Sequence, residues 1–158
     1  MDAEDPSLWK NHVQLVRKFA LKLAKTEKAD KEIVEIAALL HDIGKCKGRE
    51  NHHITGVKLA KEFLKKIGLP GKKKKLILKC IKKHRSRFAL EENEMEVKII
   101  QSADALATLF NDEWQEHCRK TLPKEKLLEL YDKSLNKLNL KSARKIGLPQ
   151  IQKLKKLL

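Results

Sequence analysis

Apolar residues return every three or four positions along most of this chain, and histidine or aspartate repeatedly stands where the spacing reserves a place for the core. One stripe reads Leu8, His12, Leu15, Phe19 and Leu23. Another reads Ile77, Cys80, Ile81, His84 and Phe88, and a third reads Val97, Ile100, Asp104 and Ala107. A period near 3.6 belongs to amphipathic helices, whereas a strand turns the opposite face at every second residue. No segment alternates in that second way. Aromatic residues are only 4% of the 158, and Ala, Leu, Lys and Glu dominate, which agrees with helix throughout. The expected fold class is all-α.

Breakers and caps give the order of elements. Asp5-Pro6-Ser7 should open a first helix that runs to about Lys25, with an acidic cap and proline in the first turn. A second helix starts near Asp30, turns Ile33, Ile36, Ala37 and Leu40 inward and ends at His41-Asp42, with Gly44 as the stop. A third covers about His52 to Ile67, with Val57, Leu59, Ala60, Phe63 and Leu64 apolar, and Gly68-Leu69-Pro70-Gly71 closes it. A fourth spans about Lys72 to His84 and a fifth about Met95 to Phe110. Pro123 precedes another, to about Leu138, and one or two short pieces lie around Gly147-Leu148-Pro149. The length suits one domain over residues 1–158. Its core is expected at about 8–112, with helices at about 123–158 flanking it.

Net charge is +15, carried by thirty lysines and six arginines. Such a field draws polyanions and steers phosphorylated small molecules toward a cleft. Nucleic-acid readers favour arginine for bidentate contacts and aromatics for stacking, and both are scarce. A nucleic-acid partner is therefore the weaker expectation, with Lys72 to Lys75 and the carboxy-terminal lysines as its surface. No apolar stretch of about 18 residues or signal-peptide pattern is present, so the chain reads as soluble and cytoplasmic, without a membrane partner. Cys46, Cys80 and Cys118 have no finger-like spacing, which argues for reduced core thiols.

The misplaced polar groups carry the chemistry. His12, His84 and Asp104 interrupt apolar faces, and His41-Asp42 ends a further buried run. Burying such groups unpartnered costs on the order of several kcal/mol each, and a shared divalent metal satisfies all of them together. Consecutive residues inside a helix diverge by about 100°, so a pair placed where the helix gives out can aim both side chains at one ion.

In that order, His12, His41-Asp42 and Asp104 resemble the signature of the HD superfamily of metal-dependent phosphohydrolases, over roughly residues 8 to 112. The resemblance implies an orthogonal helical bundle, with these four residues holding a first ion. His52, four residues before Gly56, is similar to a second-ion histidine in a His-x-x-x-Gly pattern, and His84 to the other. His53 leaves an ambiguity that the spacing resolves toward His52. The alarmone-hydrolase branch has acidic residues soon after its His-Asp pair, whereas Ile43-Gly44-Lys45 follows here. The cyclic-dinucleotide branch has a Gly-Tyr-Pro run that this chain lacks. Both branches are disfavoured.

The resulting expectation is hydrolysis of a phosphate monoester or anhydride, of a nucleotide or related metabolite, by a metal-activated water. Asp42 would bridge two cations, with Lys45, Arg85 and Arg87 neutralising phosphoryl oxygens. Imidazole and carboxylate ligands fit one or two ions of manganese, iron, cobalt, nickel or zinc, and magnesium less well. The rival expectation is a catalytically silent ligand-sensing or nucleic-acid-binding module of the same fold. Oligomeric state stays open. His117 and Cys46 are assigned no catalytic part.

Overall fold

The computed structural model describes residues 8–91 and 93–158. Among these there are eight α-helices and no strand. A π-helical turn, Leu8–Val13, leads into α1 (Gln14–Glu27). Helix α2 (Lys31–Leu40) is followed by a 3-10 turn at Ile43–Lys47, then α3 (His52–Lys66) and α4 (Gly71–Lys83). A second 3-10 turn, Ser86–Glu91, precedes α5 (Met95–Phe110), α6 (Asp112–Thr121), α7 (Lys124–Lys137) and α8 (Lys141–Lys155). The expected capping at Asp5-Pro6-Ser7 lies outside the described residues.

Helix α5 is the axis of the molecule. Val97, Ile99, Ile100, Ala103, Ala105, Leu106, Ala107 and Leu109 are all buried on it, so its apolar surface runs nearly all the way round, as a fully enclosed helix requires. It contacts α1, α2, α4, α6, α7 and α8. Around it Val16, Phe19, Ala20 and Leu23 of α1 pack with Ile33, Val34 and Ala37 of α2 and Ile77 and Ile81 of α4. Helix α2 is phased by its cap: the Asp30 carboxylate accepts from the Glu32 and Ile33 amides at 3.0 and 3.2 Å. That satisfies the amides left open by a helix start and fixes where the helix runs out, at His41.

The structure adds detail to these expectations. The segment around Cys118 forms a helix, α6, capped by Asn111, whose side chain accepts from the Trp114 amide at 3.0 Å. Of the one or two pieces expected after Leu140, the chain forms one continuous helix with Pro149 inside it. Phe63 is 46% exposed, and Val34 and Ala38 join Ile33 and Ala37 as the buried residues of α2, with the inward-facing Ile36 and Leu40 half-buried against the same core. Cys46 is exposed, while Cys80 and Cys118 are buried; none of the three is in a disulfide. No described helix is long and apolar enough to cross a membrane.

Gly44 is not a helix stop but a point of close approach. A Cβ there would lie 1.9 Å from the His52 carbonyl oxygen and 2.6 Å from the Gly56 amide nitrogen. The turn after His41-Asp42 therefore lies directly on the first turns of α3. That contact sets His52 opposite Asp42.

Candidate metal centre

Helix α2 gives out at Leu40; His41 caps it with helical dihedrals (φ −55°, ψ −34°), and the chain leaves the helical path at Asp42, with φ −104°. Their side chains meet instead of diverging: His41 Nε2 lies 3.2 Å from Asp42 Oδ2. His12 arrives from the π-turn before α1, a helical irregularity of the kind often found at functional sites. Asp104 arrives from the middle of α5, His52 from the start of α3 and His84 from the end of α4. The four imidazoles and two carboxylates are buried or nearly so, and all converge.

The two carboxylates organise the cluster. Asp42 Oδ2 faces His12 Nε2 at 3.4 Å and His41 Nε2 at 3.2 Å, while its Oδ1 faces His52 Nε2 at 3.3 Å and His84 Nε2 at 3.6 Å. Asp104 Oδ1 lies 3.1 Å from His12 Nε2 and 3.9 Å from His41 Nε2. Two triads result, His12-His41-Asp104 and Asp42-His52-His84, each with ligand atoms within 4.8 Å of one another. Asp42 offers one oxygen to each.

The imidazole orientations are fixed from behind. Nδ1 of His41, His52 and His84 lies 2.7, 2.8 and 2.7 Å from the carbonyl oxygens of Ala38, Arg49 and Ile81. A carbonyl accepts only, so each Nδ1 carries the proton and each Nε2 presents a lone pair to the centre. His41 Nε2 is buried and has no hydrogen-bond partner among the described residues. A donor set of inward lone pairs and carboxylate oxygens, one of them orphaned, fits a divalent cation.

Electrostatics agree. Burial opposes charging of His12, but its hydrogen bonds to Asp104 and Asp42, and their charges, outweigh that and raise its pKa to about 9. Burial dominates at His84 and pushes it down to about 4. Burial disfavours the Asp42 carboxylate too, yet the imidazoles of His41, His12 and His52 gathered around it hold its pKa well below the usual range. At Asp104 burial is outweighed by Lys137 and His12, with the same result. Both carboxyls are ionised, as metal ligands must be.

A cavity of about 370 Å³ opens onto the cluster. Lys45 lines it and pairs with Asp42 Oδ2 at 2.5 Å. Arg85 also lines it, with Nη1 3.4 Å from His53 Nδ1. Arg87 does not reach the cavity: Nη2 donates to His53 Nε2 at 2.6 Å, and its guanidinium covers the Phe88 ring at 4.7 Å. His53, beside His52, thus faces the two arginines and not the cluster. Burial and those two charges lower its pKa. His117 is exposed and stacks on Trp114.

Sequence reasoning missed the cavity's far wall. Arg49, Trp114, Leu130, Lys133, Ser134 and Lys137 all line it. Lys137 ion-pairs with Asp104 Oδ2, leaving Oδ1 for His12. The only signal available was the spacing of Leu130, Lys133, Ser134 and Lys137, which share one helical face at intervals of three and four.

The HD domain family model matches residues 10–109. No curated protein matches the chain. Among solved structures it is similar to an HD-superfamily hydrolase from Bacillus thuringiensis, at 22% identity and a TM-score of 0.73, covering 99% of this chain and 84% of that one. It is also similar to a predicted HD superfamily hydrolase from an uncultured Thermotogales bacterium, at 22% identity and a TM-score of 0.69, over 99% and 80% of the two chains. YpgQ of Bacillus subtilis, solved in complex with ADP, gives 22% identity and a TM-score of 0.53, over 93% and 87%. The likenesses to solved structures concern the fold; the family match spans every residue of the cluster, and by it this chain belongs to the HD superfamily of metal-dependent hydrolases.

Proposed function

We propose that the protein hydrolyses a phosphate monoester or anhydride of a nucleotide or a related phosphorylated metabolite. The observation that carries this reading is the opening of a cation-lined cavity directly onto the paired His and Asp triads. In the proposed assignment His12, His41 and Asp104 hold one cation, His52 and His84 a second, and Asp42 gives an oxygen to each. A bound divalent ion of this kind brings the pKa of a water toward about 7. Manganese, iron, cobalt, nickel and zinc suit imidazole and carboxylate donors, and magnesium suits them less.

The chain's own contribution is placement and charge. Phosphoryl transfer needs its oxygens positioned and their negative charge neutralised. Lys45, anchored on Asp42, and Arg85, at the cavity wall, are assigned to that task. The three inward-facing Nε2 atoms are held by backbone carbonyls, so they need no rearrangement. ADP in the YpgQ structure supports a nucleotide as ligand. Three cysteines outside any disulfide suit a reducing compartment, and we place the protein in the cytoplasm.

The test is turnover of a phosphorylated nucleotide panel after loading with each metal, with Asp42→Ala assayed in parallel. The wild-type protein should release phosphate and Asp42→Ala should lose at least a hundredfold. Equal turnover by the two proteins removes the catalytic claim.

A further inference from the structure

Two walls of the cavity run outward from the same point. On α5, Asp104 is followed by the small residue Ala105 and, one turn on, by Thr108, and the chain then turns into α6 to bring Trp114 to the cavity. On α7 the order is reversed: Leu130 comes first, Lys133 and Ser134 one turn later, and Lys137 last, paired with Asp104. The inner end is therefore cationic and adjoins the metal centre, the middle carries Lys133 and Ser134, and the outer end is apolar. Seven residues of helix separate Leu130 from Lys137, about 10 Å. Only the α5 side of this arrangement, as far as Thr108, falls within the HD match at residues 10–109.

We propose that α7, with Trp114, is a ruler for nucleotides carrying at least two linked phosphates. The terminal phosphate lies beside Lys137 at the cluster, the next phosphate meets Lys133 and Ser134, and the base rests on Trp114 and Leu130. A single phosphate would leave the base short of that apolar end, and a phosphorylated sugar has no aromatic base to place there. That the terminal phosphate is the one cleaved rests on the phosphohydrolase reading. In that step a water oxygen bonds to the terminal phosphorus and the P–O anhydride bond breaks. Orthophosphate and the nucleotide with one phosphate fewer leave, and the water's proton passes to solvent.

The charge and shape of the walls support this assignment. Lys133 is exposed at the mouth and Lys137 is half-buried beside Asp104, so positive charge is graded along the face. Trp114 is half-buried and held at its amide by the Asn111 cap, which fixes the platform on which a base would stack. Stacking on such a ring is tolerant of base identity. Purine and pyrimidine diphosphates should therefore bind alike.

Binding is measured by calorimetry on the chelator-treated 158-residue chain, where turnover does not interfere, with ADP, AMP and pyrophosphate as probes. Lys133→Ala should weaken ADP about tenfold and AMP less than twofold. Trp114→Ala should weaken ADP about tenfold and pyrophosphate less than twofold. Lys133 is exposed, so its variant keeps the fold even if Trp114→Ala does not. Equal effects on ADP and AMP in Lys133→Ala, or no ADP binding by the wild-type chain, overturn the ruler. Metal-loaded turnover of glycerol phosphate is followed separately. Phosphate release there without discrimination in binding removes the ruler alone, and intact binding ratios with no phosphate ester ever cleaved remove the hydrolase reading alone.

Discussion

His52 Nε2 and His84 Nε2 face one another at 3.1 Å, although in their neutral forms neither ring has a proton to offer the other. Each ring's N–H is committed at Nδ1, to Arg49 and Ile81 carbonyls at 2.8 and 2.7 Å. Two lone pairs directed at each other, and at Asp42 Oδ1, repel unless positive charge stands between them. The neutral state of His84 is reinforced by its burial, which lowers its pKa to about 4. The pair is therefore built for a cation and not for a mutual hydrogen bond.

The first prediction follows from that pair. Elemental analysis of gently purified protein should give two equivalents of divalent metal for the wild-type chain and one for His84→Ala or His52→Ala. His12→Ala should lose the other equivalent. An unchanged ratio in His84→Ala contradicts the division into two triads.

The second concerns protons. Metal-free His12 has its pKa raised to about 9, so its contribution to folding is complete below the ordinary value near 6.5 and is lost as pH rises through about 9. His84 works in the opposite sense: its lowered pKa means that stability falls as pH drops from about 6.5 toward 4. Asp42 and Asp104, held well below their ordinary range, add stability above it and lose that stability only in stronger acid. Denaturant titrations of chelated protein should show a maximum between the two histidine effects. Metal uptake at pH 7.5 should release about one proton, from His12, because a ligand imidazole must be neutral. Uptake with no proton release rules out a charged His12.

How much of this was legible depends on what a periodicity can report. His12, His84 and Asp104 were visible because each broke an apolar stripe, and α5 was bounded correctly at Met95 and Phe110 because its stripe is long. Helix α6 was invisible for the complementary reason: its buried side chains are Gln115 and Cys118, and its cap is an asparagine, so no apolar repeat announces it. Pro149 suggested a break, yet packing of α8 through Ala143, Gly147, Ile151 and Leu154 carries the helix through it. Tertiary burial outweighs local propensity there. Lys133 and Lys137 looked like two more solvated charges among thirty. Only the return of α7 to α5 shows which of them meets Asp104.

The third prediction tests the close approach that places His52. Gly44→Ala puts a Cβ against the backbone of His52 and Gly56, atoms that cannot rotate away. The turn and α3 must separate, at a cost on the order of 2–4 kcal/mol. Metal loading should drop selectively at the His52-His84 pair, leaving about one equivalent on the chain. Full loading at wild-type thermal stability would show that the contact is slack.

The last prediction separates charge balance from catalysis at Lys137. Its ammonium pairs with Asp104 Oδ2 at a site where both side chains are only slightly exposed, 12% and 13%. Lys137→Met keeps the length of the side chain and removes the charge, so in chelated protein His12 is the charged group still facing Asp104 among the described residues. Losing one partner of such a buried pair costs about 3 kcal/mol, and for a chain of this size that lowers Tm by roughly 6–12 °C. In metal-loaded protein the cation supplies positive charge to the same carboxylate, so the loss there should be less than half as large. Thermal melts with and without chelator read the difference directly. An equal fall in both states would mean that Lys137 contributes packing alone, and that the Asp104 geometry does not depend on its charge.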